Sequence, residues 1–111
     1  MLFRSVNFNL ASAAITPKAK KILDEAIALI VKHGFTKVEL SGHTDSQGGA
    51  GYDNQTLSDH RSKAVEAYMQ KSLKKYGISF TLSAHADTIA IGDNKSATGQ
   101  AQNRRVEIIV K

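Results

Sequence analysis

The sequence has no cysteine, no tryptophan, one proline, and only four phenylalanines and three tyrosines among its 111 residues. Without cysteine, disulfides and thiolate zinc sites are excluded, while the redox compartment stays open. Scattered aromatics without tryptophan argue against a stacking platform for single-stranded nucleic acid, so no nucleic-acid partner is expected. No apolar run approaches the length of a membrane span, and no basic start leads into a signal-like apolar core. Direct membrane insertion of this domain is therefore not expected. Low-complexity tracts and interdomain linkers are also lacking. What remains is one domain, residues 1–111, long enough to bury a core without staples. Fifteen Lys and Arg against ten Asp and Glu give a net charge of +5, which suits anionic surroundings or simply solubility.

Periodicity then orders the chain. Residues 2–9 alternate as a first strand, and 10–15 form a loop rich in Ala and Ser. Thr16 and Pro17 open a helix, one as a cap and the other at a position where its missing N–H costs nothing. Ile22, Leu23, Ala26, Ile27 and Ile30 paint one apolar stripe along it, and Gly34 closes it. A second strand, 35–41, places Val38 and Leu40 on one face. After a loop, a second helix carries Leu57, Ala64, Val65, Tyr68 and Leu73 on its stripe and ends at Gly77. Lys63, Lys71, Lys74 and Lys75 lie on its outer face, which reads as a solvated basic surface. Residues 78–84 alternate as a third strand. Gly92 to Lys95 is a loop, 98–103 a short helical turn, and 105–111 a last strand, apolar on both faces at its end. The predicted fold is an α/β (α+β) two-layer sandwich of order β-α-β-α-β-β, two helices packed on one face of a four-stranded mixed sheet.

The stretch from Gly42 to Arg61 joins the second strand to the second helix and holds the densest chemistry. Asp45 emerges at the carboxyl end of the strand. Asn54 is the expected N-cap of the helix, with Asp53 and Asp59 placed to suit its positive end. Arg61 falls in about the second turn, where the helix dipole disfavours a cation, so its charge should seek an anion or a carboxylate. A carboxylate, a helix start and a guanidinium together suit a ligand carrying both signs of charge. The plainer alternative is a mutual Asp45–Arg61 salt bridge.

An internal echo runs beside this. Residues 38–45 and 80–87 each lead a strand into His-x-Asp, so His43, Asp45, His85 and Asp87 could hold a divalent metal if they converged. The alternative is that two similar strand ends share local turn chemistry.

Three ordered motifs, Gly42-His43-Thr44-Asp45, Asn54-x-x-Leu57-Ser58-x-x-Arg61 and Asn103-Arg104-Arg105-Val106-Glu107-Ile108, resemble those of the OmpA-like peptidoglycan-binding domain, from the Phe8 strand through Val110. The resemblance implies non-covalent binding of peptidoglycan through the diaminopimelate of its stem peptide, with no enzymatic activity and no cofactor. It implies that Asp45 takes the ligand's ammonium and Arg61 its carboxylate, that Thr44, Asn54 and Leu57 shape the pocket, and that one of Arg104 and Arg105 supports the site electrostatically while the other faces solvent. It further implies a periplasmic or cell-envelope location, with this domain excised from a longer protein tethered to the outer or inner membrane. The sequence departs from the family pattern in three places. The insert Gly48-Gly49-Ala50-Gly51 is about one residue longer, residues 84–89 replace a glycine-rich turn, and Gln100 stands where an Arg commonly precedes the last motif. Two rival functions stay open: a metal-dependent hydrolase built on the two His-x-Asp motifs, and an interaction module that forms a homodimer through the basic helix face.

Overall fold

In a computed structural model of the chain, which describes residues 1–47 and 53–111, the elements run β1 (Leu2–Asn7), α1 (Pro17–His33), β2 (Lys37–Gly42), α2 (Asn54–Leu73), β3 (Ser79–Ala84), α3 (Ala97–Asn103) and β4 (Arg105–Val110). The strands form one sheet of order β1-β4-β2-β3. Parallel pairing joins β2 to β3 across the α2 crossover, and β4 lies antiparallel between β1 and β2. The expected fold is thus the observed one.

The register shows why one face is apolar. Val6 sits opposite Val106, Leu40 opposite Ile108 and Val38 opposite Val110, so alternate residues of three strands make one surface. Onto it pack Ala19, Leu23 and Ile30 of α1 and Val65, Met69 and Leu73 of α2, all buried with the strand residues in a single cluster. Burying each large aliphatic side chain contributes roughly 1.5–3 kcal/mol. As an inner strand, β4 buries Val106, Ile108 and Val110 on its helix-facing side, while on the other side Arg105 at its start is buried and Ile109 at its apolar end is half-buried, so the two-sided cover expected at that end is incomplete.

Both helices start and stop through local chemistry. Thr16 caps α1 by accepting from the Ala19 N–H, Pro17 follows, and Gly34 ends it at φ 69°. The start of α2 departs from expectation: the cap is Asp53, whose side chain accepts from the Thr56 N–H at 2.7 Å, and Asn54 is the first helical residue. That hydrogen bond to the Thr56 backbone, together with the Thr56 side chain, lowers the Asp53 pKa. At its other end α2 tightens into a 3-10 turn over Lys74–Tyr76 before Gly77 closes it at φ 65°. The apolar stripe of α2 is interrupted, for Ser58, Arg61 and Ser62 are buried beside Leu57, Val65, Met69 and Leu73. Those three polar residues face the site.

Candidate functional site

The site is assembled where β2 ends and α2 begins. Gly42 closes β2 at a point where α2 passes so near that a Cβ would overlap the Ser58 carbonyl and the Ser62 hydroxyl. Only glycine permits that approach. Beyond it the chain is pinned from two sides. His43 N–H donates to the Arg105 carbonyl at 2.8 Å, and Thr44 N–H to the Ala86 carbonyl at 2.8 Å. Ala86 holds a left-handed conformation, φ 51°, and its own N–H donates to Ser58 Oγ at 3.1 Å. Ser62 Oγ donates to the Ser83 carbonyl at 2.9 Å. The segment after β3 thus forms a wall of the site through backbone groups, although it lacks the expected glycines.

Asp45 is buried, 2% exposed. One carboxylate oxygen accepts from the Gln47 N–H at 3.0 Å and the other from Arg104 Nη1 at 3.0 Å. The ion pair that Asp45 makes is therefore with Arg104, not with Arg61. Arg104 Nε in turn donates to the Phe8 carbonyl at 2.9 Å, so the end of β1 sets the guanidinium that steadies Asp45. A carboxylate has about four lone-pair positions, and the described residues use two of them.

Arg61 is fully buried. Its Nε donates to the Ser12 carbonyl at 2.8 Å, Nη1 to the His43 carbonyl at 3.0 Å and Nη2 to the Asn9 carbonyl at 3.1 Å. Its guanidinium carbon also lies 5.3 Å from the centre of the Phe8 ring, within cation–π range. One side chain thus joins the β1–α1 loop, the end of β2 and the body of α2. The sequence pointed to Arg61 as a cation out of place on its helix; the partners that place it there are backbone carbonyls from a loop about fifty residues away, which no motif announces.

Two polar atoms near the start of α2 have no hydrogen-bond partner among the described residues. Thr44 Oγ1 and Asn54 Oδ1 are shielded from solvent, a condition that is costly unless a ligand or water supplies the partner. Leu57 is buried at 2% exposure on the same turn. Asp45, Arg61, Thr44, Asn54, Leu57 and Arg104 thus come from the same end of the fold, with Arg61 and Leu57 inside it. The Gly48–Gly51 insert lies outside the described residues.

Two expectations are corrected. Arg105 does not face solvent. It is 1% exposed, its Nε on Glu107 at 2.8 Å and its Nη2 on the Ile89 carbonyl at 3.1 Å, because the segment between β3 and α3 folds over the second face of β4. Nor do the two His-x-Asp motifs converge. His43 and His85 stack at 5.1 Å, but Asp45 points to Arg104 and Asp87 is exposed. Among the described residues no three His, Asp or Glu side chains are placed to share a metal ion. His43 is instead a buried histidine whose pKa is lowered to about 4, by desolvation first, then by Arg105, with Glu107 opposing and His85 adding a little. Its Nε2 lies 3.8 Å from Glu107.

The chain belongs to the OmpA family, whose model matches residues 7–104. It is 31% identical over 96 residues to the outer-membrane lipoprotein YfiB of Pseudomonas aeruginosa, covering 86% of this chain and 56% of that protein. It is 33% identical over 105 residues to the probable lipoprotein YiaD of Escherichia coli, covering 94% and 47%. It also matches photosystem I P700 chlorophyll a apoprotein A2 of Gloeobacter violaceus, 32% identical over 120 residues, covering 100% of this chain but 13% of that protein. The chain thus spans little more than half of these relatives at most. Among solved structures, the cell wall anchor of the T6SS from Pseudomonas aeruginosa superposes with a TM-score of 0.80 at 28% identity, over 96% of this chain and 78% of that one. The peptidoglycan-associated lipoprotein from Burkholderia pseudomallei gives 0.78 at 20% identity, over 97% and 90%, and supports the fold alone.

Proposed function

We propose that this domain is a non-enzymatic anchor that binds peptidoglycan through the diaminopimelate of its stem peptide and holds a longer envelope protein to the wall. The observation that carries the reading is the pair of shielded atoms without a partner among the described residues, Thr44 Oγ1 and Asn54 Oδ1, at the end of the fold that also holds the buried Asp45. The free end of diaminopimelate is a zwitterion. Its ammonium meets the Asp45 lone pairs that no described residue uses and the oxygens of Thr44 and Asn54. Its carboxylate meets the cationic wall of Arg61 and Arg104. Direct contact requires the ligand to displace what covers these side chains, since Arg61 has no exposed surface and Thr44 and Asp45 are each 2% exposed. Charge-assisted bonds contribute about 1.5–3 kcal/mol each, so a few of them less ordering costs give modest single-site affinity. Repeated sites along the polymer then add avidity. Membership of the OmpA family and the likeness to a cell wall anchor support the same reading, and the lipoprotein relatives support a periplasmic setting.

The test is a calorimetric titration with a diaminopimelate muropeptide of the intact domain and of Thr44→Val. Removing this hydroxyl should leave stability within about 0.5 kcal/mol while weakening binding severalfold. Unchanged binding by Thr44→Val would remove Thr44 from the site, and no binding by the intact domain would remove the wall ligand.

A further inference from the structure

The far end of the helices carries a second surface that wall binding does not use. Ile27 and Val31 of α1 and Tyr76 of the 3-10 turn line an open groove of about 760 Å³ between the two helices, bordered by Lys71, Ser72, Lys74 and Lys75. A smaller hollow lined by Val31, Phe35, Tyr76 and Ile78 continues it through the shared Val31 and Tyr76. The apolar strip is open to solvent, with Val31 41% and Tyr76 46% exposed. No acidic residue lines either part. Lysines at a helix C-terminus are explained by the helix dipole. An open valine–tyrosine strip between them is not.

We infer that this groove docks an acidic amphipathic helical segment of a partner protein. The chemistry is complementary in two layers: apolar side chains at helical spacing fill the strip along Ile27, Val31 and Tyr76, and flanking carboxylates meet Lys71, Lys74 and Lys75. A lipid surface fits less well, because a bilayer is penetrated by protruding apolar side chains, whereas these are recessed to about half exposure in a concavity. A second copy of the chain fits less well too, since two lysine-rimmed grooves repel each other. The α2 helix of 20 residues separates this groove from the Asp45 end by about 30 Å, so both can be occupied at once.

The experiment uses the whole chain and an 18-residue helical peptide with leucines at i, i+4 spacing and glutamates on the flanks, followed by fluorescence anisotropy at low and moderate salt. The same peptide with glutamine for glutamate is the charge control. Binding should weaken at least tenfold with the glutamine peptide and with the combined Lys71→Glu, Lys74→Glu, Lys75→Glu variant. It should weaken severalfold with Tyr76→Ala, and fall with salt, while peptidoglycan pull-down of the same variants stays unchanged. No binding of the acidic peptide, or binding indifferent to Tyr76→Ala and to charge reversal, would overturn the proposal. So would sedimentation showing a dimer that Tyr76→Ala dissolves, or binding to vesicles of anionic lipid that outcompetes the peptide.

Discussion

The two ends of α2 are built on opposite plans. At the amino end, polar groups are taken inside. Asp45, Ser58, Arg61 and Ser62 are buried, three backbone carbonyls from two segments converge on one guanidinium, and glycine is needed to bring β2 against the helix. At the carboxyl end, apolar groups are left outside, and the charges are lysines, of which Lys75 lies over the Tyr76 ring at 5.4 Å. Buried polar groups impose strict geometry, because each one lost leaves a partner without a hydrogen bond in a place water cannot reach. Exposed lysines around an apolar strip impose almost none. The first end should therefore be intolerant of substitution, and the second tolerant in folding though not in recognition.

The largest expected effects break the first end. Gly42→Ala should destabilise the fold by about 3 kcal/mol, since the new methyl meets α2 backbone that cannot swing away; equilibrium urea denaturation would read this directly, and a loss below 1 kcal/mol would mean that β2 and α2 are not so tightly docked. Arg61→Ala should cost a similar amount, about 2–4 kcal/mol, by removing the guanidinium that the Ser12 and His43 carbonyls accept from and emptying its buried place beside Phe8. Loss of wall binding in that variant would thus report folding as much as contact, and it should be interpreted only beside a stability measurement.

A smaller effect sharpens the comparison through pH. His43 has a folded pKa of about 4 against about 6.5 unfolded, so the unfolded chain binds more protons between these values. Stability should then be unaffected above about pH 6.5, fall as pH drops towards 4, and lose about 2 kcal/mol after allowance for screening. Urea midpoints at pH 7 and pH 4.5 would test this, and His43→Asn should flatten the difference. At the carboxyl end, the combined Lys71→Gln, Lys74→Gln, Lys75→Gln change should lower stability by about 1 kcal/mol, through the lost helix-dipole interactions, the smallest effect of the set in the same assay.

The same contrast governs what could be read in the sequence. Elements whose cause is local were legible: Thr16-Pro17 and Gly34 bracket α1 within a residue, and the alternation of Val106, Ile108 and Val110 identifies the last strand, though not its inner place in the sheet. The cap of α2 shifted by one residue because Asp53 and Asn54 are both competent caps and sequence alone does not rank them. The site's motif positions were legible, but not the pairing within it. That Asp45 pairs with Arg104, 59 positions away, and that Arg61 is held by loop carbonyls, depend on where β1 and β4 lie in the sheet. The burial of Arg105 was missed for the same reason, since its cover comes from the segment near Ile89. Ser58 and Ser62 carried a faint signal, small polar residues four apart on an apolar stripe, opposite a glycine at the end of a strand.

The most direct test of the central claim compares ligands first on the unaltered protein, where no variant can fail to fold, and then on a conservative Asp45 variant shown to unfold at the same urea midpoint. Muropeptides identical except for diaminopimelate or lysine at the third stem position would be titrated in parallel into the intact domain and into Asp45→Asn. The account predicts that the diaminopimelate form binds at least tenfold more tightly, because lysine lacks the carboxylate that Arg61 and Arg104 would hold, and that Asp45→Asn weakens the binding of both. Equal binding of the two stems, or binding untouched by Asp45→Asn, would contradict it.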